Sequence, residues 1–248
     1  LIHLISSFMI FIISQKIRSY IFLKNSNEMK TNKNKNIIFE KKSFIKFSLN
    51  AWRITVLSVF IPRINEILVS VFSTPVDVTI FSTSLRIAML IYIPTIGSNQ
   101  VISGLIASSH KLNDFEEIRK IAQKSLQFIN VVSLPMFFFL ILFPEVVLNI
   151  FSDELVNSSN ILRILAIACL MKIIFGPNEI ILSMCGFEKY IYKSLLVSFL
   201  ISVCTCIYLL PNAGIYGASI ALIIGNLLNS ILLRIKFVNF MNMRKKII

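Results

Sequence analysis

Residues 159–186 read SNILRILAIACLMKIIFGPNEIILSMCG. The stretch exceeds the roughly 20 apolar residues that a helix needs to cross a bilayer, yet it carries Arg163, Lys172 and Glu179 and is interrupted at Gly176-Pro177. An ionisable group facing hydrocarbon is expensive, so a helix with a lysine near its middle is expected to turn it toward a wet cavity or a protein partner. A passive anchor has no use for such residues.

The rest of the chain supports a membrane reading. Its 248 residues are 56% hydrophobic, with 21 Phe and a mean hydropathy of +0.79, too apolar and too lightly charged for an ordinary water-soluble domain. The fold class expected is all-α, a polytopic bundle of membrane helices. A net charge of +13 would suggest nucleic acid in a soluble protein, but here the basic residues gather at the ends of apolar spans, so no nucleic-acid partner is expected. Cys169, Cys185, Cys204 and Cys206 all lie in apolar stretches and lack metal-ligand spacing, which makes them small core residues. His3 and His110 are isolated, and no nucleophile, phosphate-loop or metal motif is present. No catalytic residue, metal or cofactor is expected.

Outward from the quoted stretch, six apolar spans fall at about 47–72, 78–108, 117–143, 159–184, 190–210 and 215–238. Before them, Leu1–Ile13 is too short to cross before Lys16 and Arg18 arrive, so residues 1–15 are expected to be the end of a preceding helix. Residues 16–46 form a basic linker whose first part, KNSNEMKTNKNKN, is polar, and whose second part, IIFEKKSFIKF, suits an interfacial helix drawn to membrane lipids with anionic headgroups. Residues 239–248 form a basic tail. The linker, the 109–124 connection, the 186–193 connection and the C-terminal segment from Arg234 onward hold 20 of the 25 Lys/Arg, while Ser73–Asp77, Pro144–Ser158 and Pro211–Tyr216 hold none. This alternation expects linker and tail on the cytoplasmic side of a cytoplasmic (inner) membrane.

Local signals fill in the spans. Asp114 and Glu117 suggest a capping box, Pro135 a kink, and Pro94-Thr95-Ile96-Gly97 a break in the second span. Pro211-Asn212-Ala213-Gly214 marks a tight turn before a small-residue face of Gly217, Ala218, Ser219, Ala221 and Gly225. Within the spans remain Arg53, Arg63, Arg86, Arg163 and Lys172, against Glu66 and Glu179. Arg53 and Arg163 suit interfacial anchors. Arg63 and Glu66 share a helical face, as an internal pair or as a substrate contact. Arg86 lies deep enough to favour a cavity, and Lys172 and Glu179 are two turns apart across the Gly176-Pro177 break. Five basic against two acidic groups point to an anion-accepting cavity, with Lys172, Arg63, Arg86 and Arg53 as candidate anion contacts and Ser98, Asn99 and Gln100 as candidate hydroxyl contacts. Glu66 or Glu179 is either an ion-coupling group or half of a structural pair.

Several stretches carry a family resemblance: residues 80–86 (IFSTSLR), Leu134-Pro135 with Phe143-Pro144 and Ile150-Phe151, residues 162–166 (LRILA), Gly176-Pro177 leading to Leu182 and Gly186, and residues 210–219 (LPNAGIYGAS). In that order the chain resembles the C-terminal portion of an oligosaccharide (O-antigen or capsule repeat-unit) flippase of the MATE-like superfamily. The resemblance implies one six-helix lobe of a two-lobe transporter, with the N-terminal lobe of the same protein as a partner. It also implies alternating access that moves an undecaprenyl-pyrophosphate-linked oligosaccharide across the membrane for surface-polysaccharide synthesis. The rival readings are a MATE-type cation-coupled multidrug exporter, which should favour cavity carboxylates, and a fragment of either without activity. A polymerase or ligase, an enzyme, would need a sizeable outer loop with reactive groups, which the short outer connections do not provide.

Overall fold

The computed structural model describes residues 34–151, 153–156 and 158–245. The short run Leu1–Ile13, His3, the linker up to residue 33 and residues 246–248 of the tail lie outside the described residues. The chain divides into two units, Leu1–Ser48 and Leu49–Ile248. In the first, residues 34–48 are helical. The second is built from helices α1 (Asn34–Phe72, of which it holds residues 49–72), α2 (Pro75–Ala88), α3 (Ile93–Lys111), α4 (Phe115–Leu142), α5 (Pro144–Asn149), α6 (Asp153–Val156), α7 (Ser159–Ile173), α8 (Asn178–Met184) and α9 (Glu188–Lys245). No strand occurs among the described residues.

Among the described residues, five stretches are long and apolar enough to cross a membrane: Trp52–Phe72, Pro75–Lys111, Phe115–Leu142, Ser159–Met184 and Glu188–Asn242. The fifth is two helices in one. Gly214 has φ 54° and ψ −140°, backbone that a side chain would oppose, and the chain doubles back there. Tyr190 Oη donates to Leu232 O (3.1 Å), Ser194 Oγ to Asn229 Oδ1 (2.8 Å) and Ser202 Oγ to Ala221 O (3.1 Å). As one partner advances along the chain the other retreats, which is an antiparallel hairpin. The six expected spans therefore appear as five continuous stretches.

The chain ends its helices with local chemistry. Thr74 Oγ1 accepts from Asp77 N and the Asp77 carboxylate accepts from Thr74 N, a reciprocal box at the start of α2. At α4 Asp114 accepts from Glu117 N at 2.9 Å, a cap by the aspartate. The break in the second span is a 3-10 turn at Met89–Tyr92, just ahead of the expected Pro94–Gly97. Pro94 instead occupies the first turn of α3, where its missing N–H costs nothing. Pro135 lies inside α4.

Apolar burial does not drive helices together inside lipid; close packing and interhelical hydrogen bonds do. Of the Ser159–Met184 window 44% is buried, against 22% for Trp52–Phe72, so α7 is the hub: it packs on α2, α4 and α9, burying Leu162, Leu165 and Ala166 completely. Ser98 Oγ and Ser125 Oγ, 2.6 Å apart, join α3 to α4. In the hairpin, a Cβ on Gly217 would sit 2.7 Å from the Leu209 backbone. Gly217→Val is therefore expected to cost about 1–3 kcal/mol, as overpacking does. Gly104, where an added Cβ meets nothing within 4 Å, is the control; equal melting temperatures for Gly217→Val and Gly104→Ala in detergent would contradict this packing.

Candidate functional site

The break in residues 159–186 builds the site. Pro177 has no N–H to offer the α7 carbonyls, and the carbonyls around it find other donors: Gly176 N reaches Ile173 O at 2.8 Å, Asn178 Nδ2 reaches Phe175 O at 2.7 Å and Ser230 Oγ reaches Lys172 O at 3.1 Å. One turn earlier Asn226 Nδ2 donates to Ala168 O at 2.9 Å. Asn226 and Ser230 thus clasp the last arm of α9 to the backbone of α7.

Two chambers, of about 190 Å³ and about 30 Å³, share Tyr92, Lys172, Glu179 and Asn229 as wall residues. The Lys172 ammonium lies 4.6 Å over the Tyr92 ring, a cation–π contact that compensates part of its lost hydration. The larger chamber adds Ser198, Asn226 and Cys169; the smaller adds Thr95, Asn99 and Asn178. Three buried oxygens on these walls, Thr95 Oγ1, Asn99 Oδ1 and Ser198 Oγ, have no hydrogen-bond partner in the protein. Buried polar atoms normally have one, so the chambers are polar, and a water or a ligand group is the natural partner.

The other candidate residues stand elsewhere. Arg63 pairs with Glu66 at 2.6 Å, with the Arg63 side chain 52% exposed. Arg53 and Arg86 are exposed, and neither lines a chamber. Arg163 donates to Ile141 O (3.2 Å) and Asn160 Oδ1 (2.9 Å), satisfying a carbonyl in the last turn of α4. Ser98 is held by Ser125, and Gln100 is exposed. Of the residues singled out from the sequence, Lys172, Glu179 and Asn99 are brought together. Tyr92, Thr95, Asn226 and Asn229 were missed. Asn226 and Asn229, three residues apart in an apolar span, were a readable signal; Tyr92 and Thr95 were not, because their position depends on the 3-10 turn. A recess of about 490 Å³ lies where Asp114, Arg119 and Arg234 meet Pro177, with exposed charges of both signs.

Among the described residues no cluster of three or more His, Cys, Asp or Glu is poised to hold a metal ion. Burial pushes the Cys185 thiol up to about 11, which keeps it protonated.

Residues 54–208 match the MatE family. The chain belongs to that family. Its fold is similar to the crystal structure of a MATE mutant, with a TM-score of 0.68 at 17% identity, covering 80% of this chain and 45% of that one. The chain thus spans about half the length of the MATE protein it matches. No curated protein matches it in sequence. It is a multi-pass membrane protein of a transporter family.

If Lys172 and Glu179 neutralise one another across the shared walls, Lys172→Met and Glu179→Gln should each destabilise the protein more than their combination does. The double-mutant cycle is expected to give a coupling of about 0.5–3 kcal/mol. Strict additivity of the melting shifts would show that the two charges do not interact.

Proposed function

We propose that the chain is the C-terminal half of a cation-coupled MATE exporter of amphipathic organic cations, working in a cytoplasmic membrane. The observation that carries this reading is the charge balance of the chambers. The expected excess of positive charge rested on Arg53, Arg63 and Arg86, and these stand outside; Lys172 is left facing Glu179. A balanced cavity holds no standing attraction for pyrophosphate. A carboxylate in a low-dielectric site has the charge needed to accept a coupling cation. Tyr92, Met89 and Leu222 on the larger chamber offer aromatic and apolar surface to an organic cation. The break at Gly176-Pro177 beside these groups supports the reading, because transporter sites are typically built at discontinuous helices.

The reading as a flippase of lipid-linked oligosaccharide keeps one observation in its favour: Asn99, Asn226 and Asn229 line the chambers with carboxamides suited to sugar hydroxyls, beside a lysine that suits phosphate. Lys172, with Asn99, would then be the polar contacts to the undecaprenyl-pyrophosphate oligosaccharide.

One comparison separates the two. The full-length protein carrying this chain is expressed in a strain stripped of its exporters and in a strain lacking its oligosaccharide flippase. The exporter reading expects efflux of a cationic dye, reduced at least about tenfold by Glu179→Gln, as loss of a coupling group worth about 1.4 kcal/mol or more requires. Restored surface polysaccharide with no dye efflux would establish the flippase instead.

A further inference from the structure

We propose that the recess of about 490 Å³ between α4 and the last arm of α9 seats one zwitterionic aminophospholipid, of the phosphatidylethanolamine class. The recess lies apart from the transport chambers: among the described residues none from α1 or α2 lines it, whereas both helices line the larger chamber.

The recess is a groove whose lining follows an order. One wall is a face of α4, where Phe115, Arg119, Ala122 and Leu126 recur every three or four residues; the other is a face of α9, with Arg234, Phe237 and Met241. Phe115 opens one apolar span and Asn242 closes another, so the mouth of the groove lies at a membrane surface, on the side that the Lys/Arg distribution marks as cytoplasmic. From Phe115 to Leu126 the groove runs roughly 16 Å along α4. Asp114 and Glu116 stand at the mouth, Arg119 a turn deeper, and Ala122 and Leu126 beneath it. A phosphatidylethanolamine has the same order, with its ammonium outermost, then the phosphate, then the acyl chains. Arg234 faces the groove from the opposite wall, with its guanidinium 5.6 Å over the Phe237 ring and a stem long enough to reach outward to a phosphate.

These charges are not paired with one another. Glu116 and Arg119 have the same i, i+3 spacing that joins Arg63 to Glu66 at 2.6 Å, yet no ion pair forms among Asp114, Glu116, Arg119 and Arg234. Asp114 gives Oδ1 to Glu117 N and keeps its second oxygen. Two carboxylates and two guanidiniums around one recess match a ligand that carries one charge of each sign. The guanidinium fork suits the phosphate, and the carboxylates accept hydrogen bonds from a primary ammonium. A choline headgroup has no such hydrogen to donate, and an anionic lipid would meet the carboxylates unfavourably. Deeper in, Ile181 and Phe237, both buried, give an acyl chain an apolar wall. The floor is the helix break: Phe175, Pro177 and Asn178 line both this recess and the smaller chamber. A seated lipid therefore rests against one side of the break, with the chamber on the other.

Full-length protein, delipidated in detergent, is titrated with dioleoyl phosphatidylethanolamine and, separately, with phosphatidylcholine and phosphatidylglycerol of the same chains, following the melting temperature. The wild type is expected to be stabilised saturably by the ethanolamine lipid, at a half-saturating amount about tenfold or more below those of the other two. Arg119→Gln should raise that amount about tenfold, as loss of a charge-assisted contact to phosphate does. Glu116→Gln combined with Asp114→Asn, which keeps a capping side chain, should abolish the preference for ethanolamine over choline. Each readout compares lipids on one variant, so a general loss of stability does not imitate it. Soluble phosphoethanolamine at the same concentration should have no effect. Equal half-saturation by the three lipids in the wild type, or tighter binding of phosphatidylglycerol, overturns the proposal. So does a preference unchanged by these substitutions, or stabilisation by phosphoethanolamine as strong as that by the lipid.

Discussion

The structure depends on one constraint: backbone groups freed inside an apolar layer must find partners, because no water is there to supply them. Gly176-Pro177 frees carbonyls in the middle of the most buried span. Gly176 is able to turn away because its φ of 84° is open to glycine, and its own N–H, the Asn178 carboxamide and the Ser230 hydroxyl then cover the carbonyls of Ile173, Phe175 and Lys172. The same solution recurs at the other interruption. Ile93 N reaches back to Leu90 O in the 3-10 turn, and Ser133 Oγ, on α4, donates to Ile91 O at 2.9 Å. Each break thus recruits side chains from neighbouring helices. Polar residues are concentrated where the helices are discontinuous, and the chambers lie between the two breaks.

That arrangement explains which charges count. A helix interruption pins the backbone but leaves the nearby side chains room, so Lys172 and Glu179, on either side of Gly176-Pro177, reach common walls. Arg53, Arg63 and Arg86 instead stand on outward faces of their helices. Arg63 finds Glu66 three residues on, the neighbour that helical spacing provides. Arg163 ties the end of α4 to α7. The chambers are polar and close to neutral, lined by four asparagines, a tyrosine, one lysine and one glutamate.

The sequence made the all-helical membrane fold and the break at Gly176-Pro177 legible because hydropathy and proline act locally: about 20 apolar residues must cross, and Pro177 cannot continue the helix that Lys172 belongs to. The positions of Lys172, Glu179 and Asn99 followed from helical spacing around those breaks. The exposure of Arg53 and Arg86 did not, since orientation about a helix axis is set by neighbours far along the chain. Tyr92 and Thr95 were hidden as wall residues because the second span breaks at Met89–Tyr92, five residues ahead of the expected Pro94–Gly97. The hairpin of α9 was legible at Pro211–Gly214, yet its Asn229 and Ser194 contact depends on a register that only packing fixes, with Gly217 and Gly225 letting the two arms meet.

The central claim is that Lys172 and Glu179 border one wet cavity inside the membrane. Water access tests it directly. In protein whose four native cysteines are replaced by serine, cysteine is introduced singly at Asn99, Asn229 and Ser219 and challenged in intact membranes with a hydrophilic thiol reagent. Asn99→Cys and Asn229→Cys should be modified, and Ser219→Cys, fully buried where the two arms of α9 pack, should not. Protection of both Asn99→Cys and Asn229→Cys, with the protein folded, would mean that the chambers are dry and the account is wrong.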